Sequence, residues 1–279
     1  MSSRNDPQTF LECLAPYRLS SAHSNFAYRV PLGNRWIFLK IYGPKKPRWK
    51  YEIRRLLGRM GLRQPVEYQS PGQRKSFEEE TLRRWKEKGY AVPEILTSPF
   101  PELSALPHLS TTFLEGSTLR ECLTTSRLSL EYKNNLLSSL FKEIARRHDQ
   151  AFMENDRWLF HIDANTRNII CTDSDRICHV DFEMGRHWES TIACAAREIL
   201  KLLSTAAGDM KPPERTILYQ AFQGAYPHEE VNRFIRKSVY GRPLQGIHRW
   251  RNKRKKEKNP RAVTVYDILD QIPLRVTLP

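Results

Sequence analysis

The apolar positions in the first part of the chain alternate with polar ones, as they do in β-strands. Between residues 17 and 42, aromatic and β-branched residues flank a polar loop at residues 20–24 and a turn at residues 32–34. Short alternating segments separated by turn residues predict strands in an antiparallel meander. Two further apolar segments, residues 92–96 and 111–114, predict two more strands.

The later part of the chain shows mainly helical periodicity. Apolar residues recur every three or four positions over residues 128–148, which predicts the longest helix. A basic helical pattern covers residues 48–60, and the segment after it contains Pro and Gly, which predicts a loop. A helix from about Ser76 to Gly89 follows, with Ser76 as its N-cap and Glu residues in its first turn. Shorter helices are predicted at residues 119–123, 195–203, 214–222 and 265–272.

Two short β-rich segments interrupt the helical part of the chain. Residues 160–171 and 176–182 are joined by turn residues at 172–175, which predicts a hairpin. The order of elements predicts the α+β class, with a small β-rich N-lobe at residues 1–115 and a larger, mainly helical C-lobe at residues 116–279. We expect a ligand to bind in a cleft between the two lobes.

The chain is basic, and much of its excess charge is concentrated near the end. The 279 residues carry a formal net charge of +15, and residues 249–261 contain eight Lys or Arg against one Glu. A basic surface favours phosphate-rich partners, which include ATP, nucleic acid and anionic lipid headgroups. A solvated tail or loop explains the same residues equally well, so the charge alone does not choose a partner.

Cysteine usage and hydropathy indicate the compartment. The five cysteines form no C-x-x-C pair, which argues against a zinc site and against a disulfide framework. The first residues lack the apolar core of a signal peptide, and no apolar run reaches the roughly eighteen residues of a membrane span. We therefore expect a cytoplasmic protein whose contact with a membrane is at most peripheral.

The residues with the clearest chemistry lie in and around the predicted hairpin. His161, Asp163 and Asn168 form the pattern H-x-D-x-x-x-x-N, and Asp181 begins the sequence Asp-Phe-Glu eighteen residues after Asp163. Phosphoryl transfer requires a carboxylate that orients an acceptor hydroxyl and accepts its proton, together with oxygen ligands that hold Mg²⁺. Asp and Asn are common turn residues individually, but the combined pattern predicts a phosphotransferase site.

In these residues the chain resembles the protein-kinase-like superfamily, whose motifs are H-R-D-x-x-x-x-N and D-F-G. The resemblance implies a two-lobed protein-kinase-like fold and a reaction that depends on ATP and Mg²⁺. It implies that Asp163 serves the acceptor hydroxyl, that Asn168 and Asp181 hold the metal, and that His161 braces the catalytic loop. Glu115 then either begins the hinge that offers backbone hydrogen bonds to adenine or lies in an ordinary surface turn.

The chain departs from the protein-kinase pattern at three places. Ile162 replaces the Arg of the catalytic loop and Glu183 replaces the Gly of the metal motif, which together favour the atypical, small-molecule branch. Glu183 either adds a metal ligand or simply replaces the Gly. The expected phosphate loop contains no Gly and is similar to the Asn-containing loop of aminoglycoside-phosphotransferase-like enzymes, which implies that Ser21, Ser24 and Asn25 contact the nucleotide phosphates.

One Lys lies within an apolar strand of the predicted meander. Lys40 resembles the kinase Lys that pairs with the α- and β-phosphates of ATP and with a Glu on a helix. Its expected partner is Glu78, because Glu78 begins a stretch similar to E-x-x-x-L-x-x-L-x-x-x-G-x-x-V-P of kinase-like small-molecule phosphotransferases. Glu79 and Glu80 remain alternatives, since any of the three can favour the start of a helix.

The spacing of residues around Glu78 resembles that of one family within the kinase-like superfamily. Pro71, Arg74, Glu78 and Leu82 fit the pattern P-x-x-R-x-x-x-E-x-x-x-L of the lipopolysaccharide core kinases, which phosphorylate Kdo or heptose hydroxyls. This resemblance implies a sugar or glycolipid acceptor. It also implies that the protein acts at the inner face of the bacterial inner membrane, where its basic segments contact anionic headgroups.

Two other functions remain open from the sequence. One is an atypical Ser/Thr protein kinase or an RNA-associated kinase or ATPase of RIO-like type, and the other is a catalytically silent kinase fold used for binding. The complete set of expected site residues argues against the silent fold. The basic segment does not distinguish a sugar or glycolipid kinase from a protein or RNA-associated kinase. Binding to nucleic acid would depend steeply on salt, whereas binding to a membrane would require anionic lipid.

Overall fold

The first strands of the chain pair into one antiparallel sheet. This computed structural model describes residues 7–22, 25–43, 69–173, 176–184, 189–241, 245–259 and 262–272. A short helix, α1 (Pro7–Cys13), precedes the strands Arg18–Ala22 (β1), Asn25–Leu32 (β2), Arg35–Tyr42 (β3), Ile95–Leu96 (β4) and His108–Thr112 (β5). Their order in the sheet is β1-β2-β3-β5-β4. The predicted meander is confirmed. Strand β4 is shorter than predicted, and β5 begins three residues before the predicted segment.

Helix α2, Pro71–Glu87, begins earlier than the sequence predicts. Its N-cap is Ser70, whose hydroxyl accepts the Gln73 N–H at 3.2 Å while the Gln73 side chain accepts the Ser70 N–H at 2.8 Å. Pro71 occupies the first helical position, where a backbone N–H makes no intrahelical hydrogen bond. A Pro there therefore loses no hydrogen bond, and its fixed φ suits the helix. The prediction that Ser76 caps this helix was therefore wrong, because Pro71 lies in the first turn of the helix rather than in a loop.

Strand β3 supplies the centre of the sheet's core. Ile37 and Leu39 are fully buried and pack with apolar residues that include Val30 and Leu103. Since side chains alternate along a strand, Lys40 projects from the face opposite to Leu39. Helix α2 packs against β3 and β5. The strand therefore carries a core on one face and presents a lysine on the other.

The remaining described elements are helices and a small antiparallel sheet. Its strands are Gly116–Thr118 (β6), Ile169–Thr172 (β7) and Ile177–His179 (β8), in the order β6-β7-β8. The helices are Leu119–Thr124 (α3), Leu130–Glu154 (α4), Thr191–Asp209 (α5), Arg215–Ala225 (α6), Glu229–Tyr240 (α7), Gln245–Lys258 (α8) and Val265–Gln271 (α9). The predicted long helix and hairpin are confirmed, but residues 160–168 form a loop rather than part of a strand.

The basic segment near the end of the chain is helical. Residues 249–258 lie in α8, so the interpretation of this part as a tail or loop was wrong. Arg249, Lys253 and Lys256 are exposed, and Trp250 beside them is 53% exposed. The basic helix predicted at residues 48–60 lies outside the described residues. Within the described ranges, no helix combines the length and the apolar character that crossing a membrane requires.

Two compact units account for these elements. The β-rich unit combines Met1–Glu115 with Asp181–Met184, and the helical unit combines Gly116–Val180 with Gly185–Pro279. The predicted α+β class, with a small β-rich N-terminal part and a larger, mainly helical C-terminal part, is confirmed. Although Asp181 follows the hairpin closely in sequence, residues Asp181–Met184 pack with the β-rich unit.

Replacing Ser70 with Ala should destabilise the protein by about 1 kcal/mol, because the Gln73 N–H loses its capping acceptor. The control is Ser76→Ala, an exposed position within the same helix, which should be neutral or slightly stabilising since Ala is the better helix former. Urea denaturation followed by circular dichroism measures both changes. A larger loss for Ser76→Ala than for Ser70→Ala would contradict the helix start described here.

Candidate active site

Lys40 is the centre of a buried cluster of charges in the β-rich unit. It is 5% exposed, and its Nζ donates to Glu78 Oε2 at 2.7 Å and also to Asp181 Oδ1. The Tyr42 hydroxyl donates to the same Glu78 oxygen at 2.7 Å. Strand β3 thus places two donors, two residues apart on one face, against one carboxylate of helix α2.

The structure distinguishes between the three candidate Glu partners of Lys40. Glu78 is buried and contacts Lys40, whereas Glu79 pairs with Lys75 at 2.8 Å near the surface. Glu80 pairs with two Arg side chains of its own helix, Arg83 and Arg84. The contact predicted between Lys40 and Glu78 is therefore present, and its role in catalysis stays a prediction.

The surroundings of Lys40 keep its side chain charged. Burial alone would lower the pKa of Lys40, but three nearby carboxylates, led by that of Asp181, outweigh burial and raise this pKa above its ordinary value. Burial raises the pKa of Glu78, and the Lys40 ammonium opposes that shift. Burial, together with the Glu78 carboxylate, raises the pKa of Tyr42 well above its usual range, so the phenol remains a hydrogen-bond donor.

A left-handed backbone and a buried ring fix the segment that carries Asp181. The φ angle of Asp181 is 66°, a region in which Asp and Asn are the side chains best tolerated after Gly. The next residue, Phe182, is buried, and its ring centroid lies 4.7 Å from that of Trp85 on α2. The aromatic contact anchors the chain immediately beside the carboxylate that meets Lys40.

Glu183 accepts hydrogen bonds from two buried or half-buried donors. Asn25 Nδ2 donates to Glu183 Oε2 at 2.5 Å, and Arg74 Nη1 donates to the same oxygen at 3.1 Å. Arg74 Nη1 also donates to Asn25 Oδ1 at 2.6 Å. The Asn25 side chain, predicted to contact nucleotide phosphate, is thus held at both ends by protein groups. Ser24 and the side chain of Ser21 lie outside the described residues.

The carboxylates of this cluster suit a divalent cation. One oxygen each from Glu78, Asp181 and Glu183 lies within 4.8 Å of the others. Oxygen ligands are those that Mg²⁺ prefers. The donor set therefore fits the metal predicted for Asp181 and adds Glu78 and Glu183 to the residues that are able to hold it. Lys40, which contacts two of these carboxylates, balances part of their charge.

The loop with the H-x-D-x-x-x-x-N pattern is ordered by its own hydrogen bonds in the helical unit. Asn168 Nδ2 donates to the Asp163 carbonyl at 3.0 Å, and the Val180 N–H donates to the Asn168 carbonyl at 3.0 Å. The Asp163 carboxylate is partly exposed and lies 3.0 Å from the Lys201 ammonium on α5. The loop therefore presents Asp163 to solvent beside a cation, with Asn168 bonded to its backbone.

A buried carboxylate of α5, which none of the motifs predicted, supports this loop. Glu198 is fully buried and accepts the backbone N–H of His161 at 2.9 Å. It also accepts from Arg147 Nη2 at 2.5 Å, and the ring nitrogen Nε2 of His148 lies 3.0 Å away. Burial opposes ionisation of Glu198, but Arg147 and His148 outweigh it and lower the pKa of this carboxyl.

The signal for Glu198 was visible in the sequence. Arg147 follows Leu140 and Ile144 on the apolar face of the long helix, and Glu198 lies among Ala195, Ile199 and Leu202. Charged residues at apolar positions of two helices are seldom fully buried unless they are paired. Such an Arg and Glu therefore predict a buried ion pair between the helices.

A second carboxylate anchors the end of the hairpin. Glu143 Oε2 on α4 lies 3.1 Å from His179 Nε2, and Glu143 Oε1 accepts from Arg147 Nε at 3.3 Å. His161, predicted to brace the catalytic loop, is buried and packs edge-on against His179 with ring centroids 5.5 Å apart. Burial would raise the pKa of Glu143, but Arg147 and His179 lower it to about 2.

Glu115 lies where the β-rich unit ends. Its exposed carboxylate accepts from Arg29 Nη2 at 2.8 Å. The next residue, Gly116, has a φ of 143°, and a Cβ atom there would lie 2.3 Å from the Cys171 carbonyl oxygen. This close approach requires Gly at the start of β6. The binding of adenine by the backbone at Glu115 stays a prediction.

The low pKa of Glu143 predicts a pH-dependent contribution to stability. A carboxylate with a lowered pKa stabilises the folded protein above the unfolded-state pKa of about 4.3 and loses this effect as the pH falls through the folded-state value. Since that value is about 2 for Glu143, Glu143→Gln should cost about 3 kcal/mol at pH 7. The cost should shrink between about pH 4.5 and pH 2.

Urea denaturation of the wild type and of Glu143→Gln at a series of pH values measures this effect. Glu154→Gln, at the exposed end of the same helix, is the control and should change little at any pH. A difference between wild type and Glu143→Gln that stays constant from pH 7 to the acid range would contradict the assigned pKa shift.

Comparison with solved structures finds many that are similar to this chain. No family model matches the sequence, and no curated protein matches it. The chain is similar to a solved structure described as WaaP in complex with acyl carrier protein, with a TM-score of 0.48 and 15% sequence identity. The match covers 91% of this chain and 92% of the other. Identity this low does not assign a function to the chain.

Proposed function

We propose that this chain is a kinase-like phosphotransferase that moves the γ-phosphoryl group of ATP to a hydroxyl group. The observation that carries the proposal is the contact of the buried Lys40 ammonium with both Glu78 and Asp181. Phosphoryl transfer on kinase-like folds requires a strand Lys paired with a helix Glu, together with an Asp that binds Mg²⁺.

The proposed roles follow from what each side chain presents. Bound Mg²⁺ and ATP supply the transferable phosphoryl group and the neutralisation of its negative charge. Lys40, kept charged and oriented by Glu78, contacts the α- and β-phosphates. Asp181 and, in the helical unit, Asn168 offer oxygen ligands. Asp163 orients the acceptor hydroxyl and takes its proton.

We propose a sugar hydroxyl of lipopolysaccharide core, or of a similar glycolipid, as the acceptor. The support comes from α2, where the residues of the P-x-x-R-x-x-x-E-x-x-x-L pattern lie on one helix and Arg74, Glu78 and Leu82 are buried. The spacing therefore reflects side chains that point into the β-rich unit. A protein or RNA acceptor of a RIO-like kinase is the alternative that the assay below separates.

Helix α8 supports a further part of the proposal, contact with an anionic membrane. Arg249, Lys253 and Lys256 are exposed, and the Arg254 guanidinium lies 4.5 Å from the centroid of the exposed Trp250 ring. Basic residues beside an exposed Trp are typical of surfaces that bind lipid headgroups. Binding to liposomes that requires anionic lipid supports this contact, and binding to RNA with a steep salt dependence contradicts it.

Asp163→Asn should lower phosphoryl transfer by about 10²–10⁴-fold, because the variant lacks the general base. Its affinity for Mg²⁺ and ATP, measured by calorimetry, should change little. The control is Asp149→Asn, an exposed carboxylate on α4 that should leave both quantities unchanged. Wild-type transfer rates in Asp163→Asn would contradict the role of Asp163.

The acceptor is tested by transfer of labelled γ-phosphate from ATP to three classes of molecule. A sugar-lipid fraction, a protein substrate and an RNA are offered at equal concentrations with Mg²⁺. Label in the sugar lipid that disappears in Asp163→Asn supports the proposed acceptor. Label only in protein or RNA supports the alternative, and absence of transfer to every acceptor contradicts the phosphotransferase proposal.

A further inference from the structure

Arg74 is a buried cation to which the proposed reaction gives no role. Its side chain is 0% exposed on α2. Nη1 donates to Asn25 Oδ1 at 2.6 Å and to Glu183 Oε2 at 3.1 Å, and Nη2 donates to the carbonyl of Gly43. One guanidinium therefore joins the start of β2, the residue after β3 and the segment that contains Asp181.

Glu183 lies close enough to Lys40 to disturb the charge cluster. Its Oε2 is 3.7 Å from Lys40 Nζ, just beyond hydrogen-bond distance. The Lys40 ammonium has three protons and already donates to Glu78 and Asp181. A buried carboxylate that lost its own cation would move toward the nearest remaining one, because an unpaired buried charge is strongly unfavourable. Among the residues that the structure describes, the cation that would remain beside Glu183 is Lys40.

We propose that Arg74 is a positioning residue that holds the Glu183 carboxylate away from Lys40. Lys40 then stays bound to Glu78 and Asp181, and Asp181, two residues before Glu183, keeps its place. This inference rests on the proposed function for its effect on catalysis. Its structural part concerns only contacts within the β-rich unit, so it can be tested without nucleotide.

The guanidinium is required because its two terminal nitrogens bind different acceptors. Nη2 donates to the Gly43 carbonyl, and Nη1 donates to both Asn25 and Glu183. A lysine at this position would carry the charge on a single nitrogen and lack the fork. Arg74→Lys should therefore keep Glu183 paired but release the Gly43 carbonyl.

The first experiment measures whether the effect of losing Arg74 depends on the Glu183 charge. Arg74→Met should lower kcat/KM for Mg²⁺ and ATP by about tenfold to a hundredfold, the range for losing a hydrogen bond to a charged group. In a Glu183→Gln background the same replacement of Arg74 should change kcat/KM little, because a neutral amide does not compete for Lys40. A purely structural role of Arg74 would give the same loss in both backgrounds.

The matched control is Arg83→Met on the same helix. Arg83 is exposed and pairs with Glu80 and Glu87 of its own helix. Its replacement should leave kcat/KM within about twofold of wild type, since exposed ion pairs contribute little. Circular dichroism of all variants establishes that they are folded before kinetics are compared.

The second experiment needs no nucleotide. In a crystal structure of ligand-free Arg74→Met, Glu183 Oε2 should lie closer to Lys40 Nζ than the 3.7 Å of the wild type. The same distance should be kept in Arg83→Met. If Glu183 stays in place without Arg74, the inference is overturned whatever the activity of the protein.

The two experiments separate the inference from the proposed function. If the wild type transfers no phosphate, the proposed function fails, and the ligand-free structure alone decides the role of Arg74. If the wild type is active and Arg74→Met retains its kcat/KM, the inference fails while the proposed function stands.

Discussion

The β-rich unit depends on the burial of one ammonium group. Moving the Lys40 charge away from water is strongly unfavourable unless carboxylates surround it, and the chain supplies these from α2 and from the segment after β8. Glu78 and Asp181 contact the ammonium directly, and Glu183 lies in the next layer with Arg74 as its own cation. Three elements distant in sequence are thus held together by the requirement that no buried charge remains unpaired.

The helical unit also contains a buried cation that is paired with carboxylates. Arg147, buried on α4, pairs with Glu198 on α5 and Glu143 on its own helix. Glu198 also accepts the backbone N–H of His161, so the pair that satisfies a buried guanidinium also fixes the start of the loop that contains Asp163. Glu198 therefore both pairs the two helices and holds the loop that carries Asp163.

Local pattern predicted the parts of the fold that local rules determine. Alternation of apolar residues gave the meander, and helical periodicity gave the long helix, because one face of each element is buried. The start of α2 was misplaced, since Pro71 suits both a loop and the first helical position. The basic segment became part of α8, where a tail or loop had been one interpretation, because charge alone does not report backbone conformation.

Contacts in the candidate site were predictable where a known motif specifies which residues pair. They were not predictable where tertiary packing brings the residues together. The contact between Lys40 and Glu78 followed from their spacing within known patterns. Asn25, whose contact with phosphate stays a prediction, lies between Arg74 and Glu183, because the path of three separate segments decides which polar groups meet. No spacing rule within one segment specifies such a triple contact.

The aromatic contact beside Asp181 has a consequence for how this protein can change over generations. Phe182 stands between two carboxylates in sequence, and its ring packs on Trp85 of the helix that also carries Glu78. A smaller side chain at either position would leave a cavity and loosen the segment that carries Asp181 and Glu183. A decrease in size at one of the two positions should therefore be matched by an increase at the other. We expect the two positions to covary in this way among relatives.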